Sequence, residues 1–247
     1  MSGPFLLLDI GNSRVKWALA QASEWLAEGA ATHDESEKLL QEWNRFPPPA
    51  EVIGSNVAGE ARAKYFSAYW QARGVPLHWI QATASSCGVR NLYEHPEQLG
   101  SDRWAALAGA WARTHGACLV VSAGTAVTVD ALNRQGEFMG GLILPGKHLM
   151  LKSLATGTHA LQDVTGQAAD FPRNTADAIT GGVATALASS VQTAFQRLAS
   201  TGTKHPKCIL TGGDADWLAN QLQIGVIIAP RLVLEGLLIM ARGDNQR

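Results

Sequence analysis

Two stretches of the chain repeat one pattern of apolar and polar positions. Residues 5–20 run as an apolar strand FLLLDI, a polar glycine-led turn GNS and a second apolar strand VKWALA. Residues 118–132 repeat this as CLVVSA, GTA and VTVDAL. After the second copy, residues 133–136 read as a hairpin turn and 137–144 as a third strand; after the first, residues 25–31 take the same part less clearly.

Helical spacing alternates with these strands. Residues 35–46 place Leu39, Leu40 and Trp43 on one face, and the three prolines Pro47–Pro49 end the helix. A strand at 51–55, a helix over 60–73 and a short strand at 77–80 follow. Residues 101–115 form a strongly patterned helix, with Trp104, Leu107, Ala108 and Trp111 on one face and Gly116 as its stop. Residues 174–198 form one long alanine-rich helix or a pair. The chain closes with a strand at 206–211, a helix through 221, a strand at 225–229 and a helix at 232–240. Hairpins joined to strand–helix units predict an α/β chain of two related halves with mixed sheets, 1–116 and 117–247, and the cleft between them is the default ligand site.

Composition narrows the functional classes. The 247 residues are 46% hydrophobic and 17% charged, an ordinary globular balance. A formal net charge of −1, with no lysine- or arginine-rich block, argues against nucleic acid as a partner. The apolar run 5–8 is too short for a signal-peptide core and is broken by Asp9; no run approaches a membrane span. The three cysteines, Cys87, Cys118 and Cys208, have no metal spacing, and the seven histidines are unpaired. A cytoplasmic protein is expected. The eight tryptophans, among them Trp43, Trp104 and Trp111, read as packing.

Five clusters carry possible chemistry. In DIGNS, Asp9 ends a buried strand, where a carboxylate calls for a cation. Gly11 permits close backbone approach and Asn12 and Ser13 supply donors, so the set suits a magnesium–phosphate unit or, more plainly, a hairpin turn. Gly124-Thr125-Ala126 occupies the matching place in the second half, and two opposed glycine turns can clamp a polyphosphate. The P-loop sequence is absent. Thr211-Gly212-Gly213-Asp214 leads a strand into a helix, either beside a nucleotide or as an ordinary turn capped by Asp214. In Gly100-Ser101-Asp102-Arg103, Asp102 is either a helix N-cap or a base, and a guanidinium beside a carboxylate can bind an anionic substrate while the carboxylate takes a hydroxyl proton. Gly140, Gly141, Pro145 and Gly146 mark turns or close backbone approaches.

Together, LLLDIGNSRVKWAL, NLYEHPEQLGSDRWAALAGA, VVSAGTAVTVD, GGLILPG, NTADAITGG and ILTGGDA resemble the type III pantothenate kinases of bacteria, over nearly the whole chain and in the family's order. The resemblance implies two actin/Hsp70-like (ribonuclease H-like) domains of the acetate and sugar kinase superfamily, and transfer of the γ-phosphate of ATP to pantothenate, the first step of coenzyme A biosynthesis. It implies Asp102 as general base and Tyr93, Gly100, Ser101, Arg103 and Thr180 at pantothenate. It implies Asp9, Gly11, Asn12, Ser13, Lys16, Gly124, Thr125, Gly212 and Gly213 at ATP, with Asp9 holding Mg²⁺. Asn174, Thr175 and Thr180 match a segment that reaches the neighbouring subunit's substrate in a homodimer. A monovalent cation, K⁺ or NH₄⁺, is implied too; many members carry an aspartate where this chain has Ser122, which leaves Asp130 as the nearest carboxylate for it. The rivals are a superfamily kinase for another hydroxylated substrate and a non-catalytic regulatory protein on the same fold.

Overall fold

A computed structural model describes residues 3–22, 24–157, 166–203 and 205–244. The chain divides into two compact units. One is the chain up to Arg113 together with the segment from Arg231 onward; the other is Thr114–Pro230.

The first unit contains β1 (Phe5–Ile10), β2 (Arg14–Gln21), β3 (Glu24–Thr32), α1 (Ser36–Trp43), β4 (Glu51–Asn56), α2 (Glu60–Gln71), β5 (Leu77–Trp79), a small hairpin of β6 (Ser85–Ser86) and β7 (Val89–Asn91), and α3 (Ser101–Thr114). Its sheet has the order β3-β2-β1-β4-β5. The tight turns make β1, β2 and β3 antiparallel, while the helical crossovers make β4 parallel to β1 and β5 parallel to β4. Alternate residues of β1 serve two cores. Leu6, Leu8 and Ile10 join Val15, Trp17 and Leu19 beneath Leu39, Trp43, Phe66 and Trp70. Phe5 and Leu7 face the other way, toward the C-terminal helix. Burial on both faces is why β1 reads as an unbroken apolar run. Trp17, Trp43 and Trp70 are core residues, with ring centroids 6.2 Å apart for Trp17–Trp43 and 5.6 Å for Trp43–Trp70.

The second unit contains β8 (Cys118–Ala123), β9 (Ala126–Leu132), β10 (Glu137–Pro145), α4 (Lys147–Gly157), α5 (Thr175–Ser200), β11 (Lys207–Thr211), α6 (Ala215–Ala219) and β12 (Ile227–Ile228). Its strands run β10-β9-β8-β11-β12. Again the first three are antiparallel and the last two join in parallel. The order and directions repeat those of the first unit strand for strand. Residues 175–200 form one continuous helix, whose Val183, Leu187 and Val191 cover Leu119, Val121, Val127 and Val129.

The last helix, α7 (Leu232–Asp244), corrects one expectation. It belongs to the first unit rather than to a contiguous half ending at 247. Leu234, Leu237, Leu238 and Ala241 pack on Phe5, Leu7, Ala18 and Ile53. Gly109 of α3 lets this helix approach closely: a methyl there would meet the Leu232 carbonyl at 2.6 Å.

Candidate active site

In the first unit, Asp9 stands next to the end of β1, directly opposite Lys16 of β2 and Ser55 of β4. Burial, first, and the Asp102 carboxylate, second, push its pKa up to about 7, with Lys16 opposing them. The following turn is closed by the Gly11 N–H donating to the Arg14 carbonyl at 3.0 Å, and leaves Asn12 and Ser13 exposed at its tip. Ser55 is wholly buried and its Oγ lies 2.9 Å from Ser101 Oγ, which ties the end of β4 to the first turn of α3. Ser55 is a residue that sequence reasoning missed; its only signal is a hydroxyl inside the strand EVIGSN.

Asp102 is the second residue of α3 rather than its N-cap. The Gly100 carbonyl accepts the Trp104 N–H at 2.9 Å, and Asp102 Oδ1 accepts the Arg103 N–H at 2.8 Å. A carboxylate here also faces the positive end of the helix. Burial nevertheless raises its pKa above the usual aspartate value, with the Arg103 N–H and guanidinium opposing. A methyl on Gly100 would stand 2.7 Å from Asp102 Oδ1, so glycine leaves that carboxylate its place. Arg103 is only 6% exposed, and its Nη2 donates to the Tyr93 hydroxyl at 3.2 Å. Tyr93 is set by Asn91, whose Oδ1 accepts the Tyr93 N–H at 3.0 Å while its Nδ2 donates to the Pro96 carbonyl at 3.1 Å. The structure thus brings Tyr93, Gly100, Ser101, Asp102 and Arg103 into one cluster, electrostatically coupled to Asp9.

In the second unit three glycine segments meet backbone to backbone. The turn after β8 is closed by Gly124 N–H donating to the Ala126 carbonyl at 3.0 Å, and Gly146 N–H donates to the Thr125 carbonyl at 2.9 Å. A methyl on Gly146 would meet the Gly124 carbonyl and stand 2.7 Å from the Thr125 oxygen. Gly212, with φ 101°, lies against the Ala123 carbonyl, which also accepts the Asp214 N–H at 3.0 Å. Gly146 therefore does more than mark a turn: it props the second glycine loop. The helix after Gly213 corrects another expectation. α6 has five residues, and the Asp214 side chain makes no capping hydrogen bond; its carboxylate lies 3.6 Å from His148 Nε2. What this segment offers a ligand is the bare backbone of Gly212 and Gly213.

Asp130 is 1% exposed on β9. Since Val127 and Val129 face α5, the alternation of the strand puts Asp130 and Thr128 on the opposite face, with Ser122 of β8 paired to Thr128. Asn174 is the N-cap of α5: its Oδ1 accepts the Asp177 N–H at 2.9 Å and its Nδ2 donates to Asp177 Oδ2 at 2.7 Å. Thr180 is half-buried one turn further on. A groove of about 840 Å³ lies between α4 and α5, lined by Met150, Leu154, Asn174, Ile179 and Val183, and its lining includes none of Asp9, Tyr93, Asp102, Arg103 or Asp130.

Duplicated units of this topology, each with a glycine turn after its first strand, define the fold of the actin and sugar-kinase class. The fold is shared with the activator of the 2-hydroxyisocaproyl-CoA dehydratase from Clostridium difficile, with bound ADPNP, at a TM-score of 0.55 and 11% identity over 98% of this chain and 96% of that one. A conserved Baf-family transcriptional activator from Campylobacter jejuni matches at a TM-score of 0.63 and 22% identity, over 98% and 100%. The chain belongs to the type III pantothenate kinase family: the family profile covers residues 5–197, and the type III pantothenate kinase of Nitrosospira multiformis is 44% identical over 249 residues, 100% of this chain and 94% of that one.

Proposed function

We propose that the chain transfers the γ-phosphate of ATP to the hydroxyl of pantothenate, giving 4'-phosphopantothenate for coenzyme A synthesis. The observation that carries this reading is the Asp102 carboxylate, fixed in the first turn of α3 beside the buried Arg103 and its hydrogen-bond partner Tyr93. Asp102 accepts the proton of the attacking hydroxyl as the new oxygen–phosphorus bond forms and the β,γ-bridge breaks. Its raised pKa suits a group that must hold that proton. Arg103 and Tyr93 orient the anionic substrate, with the Gly100-Ser101 turn beside them. Asn12, Ser13 and Lys16 of the first unit are assigned to ATP, as are Gly124, Thr125, Gly212 and Gly213 of the second.

Mg²⁺ fits the donor set. No cluster of three or more acidic, histidine or cysteine side chains forms a metal cage among the described residues. One carboxylate, Asp9, beside phosphate oxygens is the arrangement magnesium favours, and the raised pKa of Asp9 marks a carboxylate in want of a cation. When bound, the ion supplies charge neutralisation across the phosphate oxygens. A monovalent cation, K⁺ or NH₄⁺, is assigned to Asp130, with Ser122 and Thr128 on the same face as further oxygen donors. A homodimer is assigned to the groove between α4 and α5, whose lining includes the exposed Leu154 together with Asn174 and Thr175; Thr180 then serves a substrate site near the interface. No described helix is long and apolar enough to cross a membrane.

The test is ATP-dependent phosphorylation against a panel of pantothenate, sugars and short hydroxy acids, with K⁺, NH₄⁺ and Na⁺ compared. Pantothenate is the expected acceptor. Preference for another acceptor would refute the substrate, and no turnover with any would refute the kinase reading.

A further inference from the structure

Several hydrogen bonds fix the first glycine loop, and one of them comes from a side chain outside the DIGNS motif. The Ile10 carbonyl accepts the Val57 N–H at 3.0 Å, and the Gly11 N–H donates to the Arg14 carbonyl at 3.0 Å. The Gly11 carbonyl lies 2.8 Å from Nε2 of His33, 22 residues further along the chain. The register explains the meeting. Thr32, the last residue of β3, pairs with Arg14, so the next residue stands beside the loop. The main chain of His33 is itself held. Glu35 Oε2 accepts from the Thr32 N–H at 3.1 Å and the Thr32 hydroxyl at 3.0 Å, and Ser36 Oγ donates to the His33 carbonyl at 2.6 Å.

A carbonyl oxygen only accepts, so Nε2 carries the hydrogen, and in the neutral ring Nδ1 is the bare nitrogen. That Nδ1 is buried with no hydrogen-bond partner among the described residues. As packing, an imidazole is a poor choice here, because a leucine would fill the space without a desolvated nitrogen. The ring is worth that cost for the bond that its other nitrogen makes.

We propose that His33 is a positioning residue of the phosphotransfer reaction: its Nε2–H fixes the Gly11 peptide so that Asn12 and Ser13, at the exposed tip, meet the ATP phosphates already oriented. It touches neither substrate nor metal and acts through the loop. The proposal rests on the kinase reading above and adds to it a residue outside the phosphate motif.

Two variants separate the bond from the bulk. His33→Leu keeps volume and removes the donor, whereas His33→Gln keeps an N–H that can reach the same carbonyl. His33→Leu should raise KM for MgATP roughly 2- to 10-fold, the range one net hydrogen bond carries, with KM for pantothenate unchanged and thermal stability not lowered. His33→Gln should return KM for MgATP to within about twofold of wild type. Long-range ¹H–¹⁵N spectra of the labelled protein should show the His33 ring, identified by its loss in His33→Gln, as the Nε2–H tautomer. The proposal is overturned by an Nδ1–H tautomer, by an unchanged KM for MgATP in His33→Leu, or by both KM values and stability worsening together. Should the leucine variant not fold, the tautomer and the glutamine variant decide. If wild type phosphorylates nothing, the kinase reading falls alone, because saturation-transfer NMR of MgATP on wild type and variants still reads the loop.

Discussion

Asp9→Asn should make the metal-free protein more stable and the enzyme nearly inert. Asp9 is crowded by protein and repelled by Asp102, and its pKa stands at about 7 against 3.8 in an unfolded chain. A folded pKa above the unfolded one means that the fold favours the protonated acid. This contribution is fully present below about 3.8 and is lost as pH rises through about 7; above that, the metal-free fold carries an ionised carboxylate it disfavours. The difference corresponds to roughly 4 kcal/mol, a ceiling because part of Asp9 stays open to solvent. Asparagine has nearly the same shape and no charge. In EDTA at pH 8 the variant should therefore melt higher than wild type, by about 2–4 °C for each kcal/mol recovered, and the gap should close toward pH 4. Circular-dichroism melts of both proteins across that range measure it. In the activity assay the same variant should need far more Mg²⁺ and use MgATP poorly. A variant no more stable than wild type at pH 8, or a gap that ignores pH, would refute the reasoning about Asp9; an unchanged Mg²⁺ titration would remove its metal role.

Asp102→Asn should lower kcat by about 10²–10⁴-fold without lowering the melting temperature, because asparagine Oδ1 can still accept the Arg103 N–H and the fold disfavours the buried charge; a kcat above about a tenth of wild type would take Asp102 out of the mechanism. Arg103→Lys should raise KM for pantothenate and spare KM for MgATP, since lysine loses the planar fork that reaches Tyr93; equal loss for both substrates would make Arg103 structural. Gly146→Ala should raise KM for MgATP and lower the melting temperature, because its methyl meets the carbonyls of Gly124 and Thr125, which are backbone and cannot swing aside; an unchanged KM would disqualify that turn as a phosphate loop.

What could be read along the chain and what could not divide by range. The two strand–turn–strand copies were legible because each hairpin is local: β1 pairs with β2, and β8 with β9, across a few residues. The cluster at 100–103 was legible for the same reason, its bonds joining neighbours such as Asp102 and Arg103. α4 was not, because it buries no residue and so carries no amphipathic stripe for the eye to find. The placement of α7 was hidden too: its apolar face is plain, but nothing local says that it returns to Phe5 and Leu7. Ser55 and His33 were missed because each acts over 22 residues or more, through register rather than spacing. Asp102 was misread as a possible cap because residues at the N-cap and one turn inside attract the same acidic side chains.

Under the proposed kinase reading, the two glycine loops share a device that bears on how catalysis is achieved. Neither has the lysine of a P-loop, and their tips present backbone and short polar side chains: Asn12 and Ser13 in one, Thr125 in the other. A backbone N–H has no rotamer to lose, so its worth as a phosphate donor depends on the orientation of its peptide plane. In the first unit that plane is set by His33 on the Gly11 carbonyl. In the second it is set by Gly146 on the Thr125 carbonyl, with Gly212 laid against Ala123. Phosphoryl transfer leaves little covalent work to a protein, and most of the rate comes from donors already aimed at the developing charge. Losing a tip residue removes one donor. Losing a prop such as His33 or Gly146, neither of which is assigned to a phosphate, instead disturbs the aim of the donors that its loop presents.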